Sequence, residues 1–206
     1  MRRRHLLVLG CVCLAGLVMA GCAVNPSGSG SSGGGIEFFP HNIGNSWTFA
    51  AVMNGAPIGT VSLSVDSTAV YSGKTYYSLT QTSPFASPEA RLFDFSSSYV
   101  KSFSSATVPT GESTWLSFPL SVGSTWTDPD GKVNTVTAVE NVTVTAGTYT
   151  NCYKISSVHL SSVSLQVTNR WYSLNVGPVK EESKTTGIAV PLNMIMTSEL
   201  TSVVIK

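Results

Sequence analysis

Beyond residue 35 the apolar and polar side chains alternate with a period of two. Val61, Leu63 and Val65 alternate with Ser62, Ser64 and Asp66, and Val163, Leu165 and Val167 alternate with Ser164, Gln166 and Thr168. Near the C-terminus Leu192, Met194, Met196, Leu200 and Val204 share one parity, and Asn193, Thr197, Glu199 and Thr201 share the other. Successive side chains of a strand point to opposite faces, so this pattern predicts sheet with one apolar and one wet face. No window carries the 3.6-residue period of an amphipathic helix.

Turn signals punctuate these runs at Asn54-Gly55, Ser72-Gly73, Asp130-Gly131, Ala146-Gly147 and Thr186-Gly187. Glycine supplies the positive φ that tight hairpins need, and short connections make neighbouring strands antiparallel. Residues 132–145 would extend about 45 Å as a strand, more than the roughly 40 Å span of a globule of this size. Such a strand must bend, and its alternation slips near Val139 and Glu140, where a β-bulge is expected. The expected fold is all-β: a strongly curved antiparallel sheet, half-open or closed into a barrel, with a β-sandwich as the alternative.

The first 35 residues follow different rules. Arg2, Arg3 and Arg4 precede an apolar run over residues 6–20, which is shorter than the roughly 20 residues of an untilted membrane helix and reads as a signal peptide. Residues 25–35 contain only Asn, Pro, Ser and Gly, which bury no apolar surface and form a flexible tether. The expected organisation is a signal peptide over 1–21, a lipidated cysteine and Ser/Gly tether over 22–35, and one domain over 36–206.

Met19-Ala20-Gly21-Cys22 resembles the lipobox of bacterial lipoproteins. The resemblance implies thioether attachment of a diacylglyceryl group to Cys22, cleavage after Gly21, and acylation of the new amine, with palmitate as the typical chain. Burial of lipid contributes about 0.8 kcal/mol per CH₂, so two or three chains hold the protein to the membrane permanently. Ala23 in place of Asp resembles the sorting pattern for the outer membrane of a diderm bacterium, with the domain in the periplasm.

Charge and cysteine content narrow the function classes. Without the leader arginines, nine basic residues face eleven acidic ones, and they are scattered singly, so the basic stripe that nucleic acid needs is missing. Cys152 is the one cysteine of the body, and its strand-like surroundings predict a buried, inert thiol.

One segment occurs twice, Phe39-Pro-His-Asn-Ile-Gly-Asn-Ser-Trp-Thr48 and Phe118-Pro-Leu-Ser-Val-Gly-Ser-Thr-Trp-Thr127, at an offset of 79 residues. Pro40 and Pro119 fix φ, Gly44 and Gly123 permit a turn, and Trp47 and Trp126 open a strand as apolar anchors. Both indoles are expected in the core. Together with Ala146-Gly147-Thr-Tyr-Thr-Asn-Cys152 and Trp171-Tyr-Ser-Leu-Asn-Val-Gly-Pro-Val-Lys180, the motif is similar to phrases of a set of uncharacterised bacterial envelope lipoproteins. That resemblance implies a structural role for these residues. A broader analogy runs to half-open barrels that hold acyl chains against a concave sheet.

Candidate chemistry is sparse. His41 reads as a turn residue and His159 as a rim histidine, too few for a zinc site. Asp128 and Asp130 flank Pro129 in a turn, and Glu181 and Glu182 are adjacent. Neither pair has the geometry of a glycosidase by pattern, and the Asp turn lacks the further oxygen ligands of a calcium loop. Gly30, Ser32 and Gly34 match G-x-S-x-G inside the linker, without the strand–turn–helix context that motif requires. No catalytic residue, metal or cofactor is expected. The expected function is a membrane-anchored, non-catalytic envelope lipoprotein that binds an apolar ligand such as an acyl chain. An envelope protein that binds another protein, or a structural lipoprotein, is the alternative, with carbohydrate binding or hydrolysis behind both.

Overall fold

The computed structural model describes residues 36–188 and 191–206. The predicted leader, Cys22 and the tether lie outside the described residues. A single 3₁₀ turn, Ile36–Phe38, precedes the sheet. Among the described residues twelve strands follow in chain order: β1 (Ser46–Met53), β2 (Ala56–Tyr71), β3 (Lys74–Ser83), β4 (Ala86–Phe95), β5 (Tyr99–Phe103), β6 (Glu112–Ser117), β7 (Thr125–Thr127), β8 (Val133–Val144), β9 (Gly147–Leu160), β10 (Ser164–Ser173), β11 (Gly177–Gly187) and β12 (Asn193–Val204). They form one sheet rather than a sandwich, ordered β6-β5-β4-β3-β2-β1-β12-β11-β10-β9-β8-β7. Chain neighbours other than β6 and β7 pair antiparallel, β1 pairs with β12, and the sheet curls into a nearly closed barrel.

The hairpin chemistry is visible in the dihedral angles. Asn54 and Gly55 have φ of 48° and 83°, and Ser72 and Gly73 have 49° and 80°. Two consecutive positive φ values match the right-handed twist of the flanking strands. Two turn predictions are displaced by a residue or more. Thr145 and Ala146 form the β8–β9 turn while Gly147 opens β9, and Thr186-Gly187 still belongs to β11.

Bulges bend the long strands. In β8 the register shifts between Val136 and Ala138 and again between Glu140 and Val142, bracketing the predicted slip. A shift opposite Thr48 and Phe49 changes the parity of β12. Leu200 and Val203 therefore contribute to the core while Val204 faces outward, which corrects the single parity expected for the C-terminal strand.

A second correction concerns β9 to β11. Asn134, Ser157, Thr168 and Ser183 are cross-strand partners in one row and all are buried. Ser157 Oγ donates to Asn134 Oδ1 at 2.6 Å, and the Thr168 and Ser183 hydroxyls lie 3.2 Å apart. The polar parity points into the barrel here, and Val163 and Leu165 face solvent. These pairings offset much of the cost of a buried polar row, although the Asn134 amide nitrogen has no partner among the described residues.

In an antiparallel meander successive hairpins alternate between the two ends. The β1–β2 and β3–β4 turns share one end. The β2–β3 and β10–β11 turns lie at the other, with the N-terminal approach and the C-terminus. There Phe39 enters the barrel, fully buried, with ring centroids 5.4 Å from Trp47, 5.9 Å from Trp115 and 6.5 Å from Tyr172. It plugs that end.

The edge strands β6 and β7 meet through side chains. The Asp128 carboxylate, fully buried, accepts from Thr114 N and Ser113 Oγ, both at 2.9 Å, and from Lys132 Nζ at 2.7 Å. The Trp126 indole donates to Thr114 O at 2.9 Å.

Candidate functional site

The repeated segments fold alike. Gly44 and Gly123 have φ of 90° and 93°, and each donates 2.8 Å from its N–H across to the next strand, to Val65 O and Val136 O. Those two valines donate back at 2.9 Å to Asn45 O and Ser124 O. Trp47 and Trp126 are each the second residue of their strands. Pro40 and Pro119 precede the two turns, the second after a cis peptide bond. Their burial differs, however. Trp47 is fully buried and donates to Val176 O at 2.6 Å, whereas Trp126 is half-buried. β1 is flanked by β2 and β12, while β7 is a three-residue edge strand with fewer neighbours to cover its indole.

The other phrases serve the same packing. At Gly177, with φ of 95°, a β-carbon would meet Trp47 Nε1 at 3.1 Å, so the glycine of the third phrase admits the tryptophan of the first. Gly147 has φ of 139° at the start of β9. Farther along that strand Cys152 is fully buried and free, and burial pushes its thiol up to about 11. Such a thiol is inert at neutral pH.

The barrel is not filled above the plug. A cavity of about 260 Å³ opens at the end carrying the β1–β2 and β3–β4 turns. Apolar groups dominate its wall: Phe49, Ile58, Val61, Leu63, Phe85 and Met196. Phe85 stands at the mouth, largely exposed. Toward the plug lie Trp115, Arg170, Tyr172 and Glu181. Arg170 Nε donates to Glu181 Oε2 at 2.6 Å, and its guanidinium carbon lies 5.4 Å from the Trp115 ring centroid. Tyr172 is buried to 1% exposure, and no described group bonds its hydroxyl. Burial drives its pKa well above the usual phenol value, so it stays a donor.

Met196, from the apolar parity near the C-terminus, lines the cavity, whereas sequence reasoning missed the cavity's polar groups. Of the adjacent pair, Glu181 lines the lumen while still partly open to water, and Glu182 pairs with Lys180 at 3.0 Å. Asp128 is a buried closure and not only a turn residue. Its signal in the sequence is Lys132 four residues on. His41 stacks on Phe95 at 4.1 Å, and burial lowers its pKa.

No family profile and no curated protein matches this chain. Two solved structures share its fold. One is a protein named as exported, with a YmcC-like fold, from Bacteroides fragilis; it is 14% identical, with a TM-score of 0.53, over 81% of this chain and 98% of that one. The other is named as a lipoprotein, from Parabacteroides distasonis; it is 15% identical, with a TM-score of 0.51, over the same shares. At these identities the likeness concerns the fold. The all-β barrel is therefore common to this chain and to proteins named as exported or lipoprotein.

Proposed function

We propose that the protein is a non-catalytic cell-envelope lipoprotein, held by lipid on Cys22, whose barrel lumen takes an apolar ligand such as an acyl chain. In a diderm host it would sit on the outer membrane, facing the periplasm. The observation that carries the ligand reading is the unfilled lumen with an apolar wall and an open mouth. The lipobox resemblance and two fold neighbours with envelope names support the location.

The cavity is slightly smaller than the usual range of about 300–1,000 Å³ for small-molecule sites. At roughly 30 Å³ per water-sized group it holds about nine such groups. That suits a medium acyl chain, or the buried end of a longer one projecting through the mouth. Nine methylenes contribute about 7 kcal/mol before the cost of immobilising the chain, which places the tightest binding in the micromolar range.

Lipid extraction and mass spectrometry of protein from its native envelope is the test. Recovery of stoichiometric acyl species beyond the Cys22 modification is expected. Their absence would favour a second reading, an envelope protein that binds another protein. The outward apolar side chains Val133, Val158, Leu160, Val163 and Leu165 favour that reading. Detergent phase partitioning tests the anchor separately: Cys22→Ser should abolish partitioning of the leader-free form.

A further inference from the structure

We propose that the cavity selects ligands bearing a carboxylate head, held between the terminal amino groups of Arg170 and the hydroxyl of Tyr172, with the tail running toward Phe85 at the mouth. The inference rests on the lumen as ligand site and adds the chemistry of the head.

Tyr172 is almost wholly buried, lines the cavity, and has no described partner for its hydroxyl. A buried phenol left unpaired is costly, so an acceptor entering the cavity gains what the folded chain lacks. Arg170 is the second donor. Its Nε edge is taken by Glu181, and its face lies against Trp115. Among the described residues no group accepts from its terminal amino groups, which remain available to a second acceptor. Arg170 and Tyr172 are two residues apart on β10 and both line the cavity.

The charge balance favours a head of low charge. Two cations line the cavity, Arg170 and Lys180, and both are already paired, the first with Glu181 and the second with Glu182 and Glu199. A phosphate dianion would add twice the negative charge of a carboxylate to a wall whose cations are already met. A carboxylate offers two acceptor oxygens for two differently placed donors. Apolar residues make most of the remaining wall, Leu63, Val61, Phe49, Met196, Ile58 and Phe85, with a few polar side chains such as Gln81 and Lys180 among them.

The test uses the full lipidated chain in phosphatidylcholine nanodiscs, with empty discs as blank, titrated calorimetrically with octanoate and with 1-chlorooctane. The two probes match in length, and only the first has oxygen acceptors. Octanoate should bind at least about tenfold tighter than 1-chlorooctane. Tyr172→Phe should lose about tenfold for octanoate and nothing for 1-chlorooctane. Its melting temperature should hold or rise, because an unpaired buried hydroxyl has been removed. Equal binding of the two probes, or full octanoate affinity in Tyr172→Phe, overturns the head-group assignment while leaving the apolar lumen as ligand site. If neither probe binds, the ligand reading itself falls, and this inference with it.

Discussion

Asp128 closes the barrel where no continuous ladder joins β6 to β7, so its removal should open that seam in particular. Asp128→Ala deletes an acceptor that serves Thr114 N, Ser113 Oγ and Lys132 Nζ. The Ser113 hydroxyl can rotate, and Lys132, 23% exposed, can swing toward water. The Thr114 amide cannot. Removing one member of a fully buried ion pair costs about 3–5 kcal/mol, and the partial exposure of Lys132 reduces that to about 2–4 kcal/mol. That is a large share of a typical stability of about 5–15 kcal/mol. Urea unfolding gives the magnitude, and hydrogen exchange gives the place: amides of β6 and β7 should exchange faster, with β1 and β12 unchanged. Asp128→Asn keeps one carbonyl oxygen for Thr114 N and should lose about half as much. A loss under about 1 kcal/mol with unaltered exchange in β6 and β7 would refute the closure role.

Three further outcomes are expected. Trp47→Ala should cost about 3–5 kcal/mol and Trp126→Ala about 1–3 kcal/mol, measured by urea unfolding, because only the first indole is fully buried. Cys152 holds its proton more tightly when folded, with a pKa of about 11 against an ordinary 9.0. Its effect is therefore absent below pH 9, and stability falls from there toward pH 11 by up to about 1.4 kcal/mol per unit. Cys152→Ala should lack this component when the two stability–pH curves are subtracted. Native Cys152 should also resist thiol reagents at about pH 8 until the protein is unfolded.

Local chemistry was legible in the sequence wherever a few neighbouring residues decide it. Asn54-Gly55 and Ser72-Gly73 specify their turns, and the repeat at 79 residues specifies two equivalent strand openings. The bend of β8 follows from a strand too long for its globule. Relations across strands were not legible. Alternation separates Leu165 from Thr168 without saying which of the two faces the interior; the row from Asn134 to Ser183 depends on four partners meeting. Likewise Arg170 meets Glu181 only through the β10–β11 register, and Trp126 loses cover only because β7 ends at an edge.

The plug also determines how mechanical load would enter the molecule. A pull on the N-terminal end first reaches the bond from Asn175 N to Glu37 O, 2.7 Å long, and then the ring of Phe39. Beyond them lies β1, which has a ladder on each side, to β2 and to β12. Tension along β1 loads both ladders in shear, with many hydrogen bonds sharing the force at once, whereas tension on an edge strand would peel them singly. The end of the chain nearest the predicted anchor thus runs into the part of the sheet most resistant to extraction, and the weak seam between β6 and β7 lies on the far side of the barrel from that line of force.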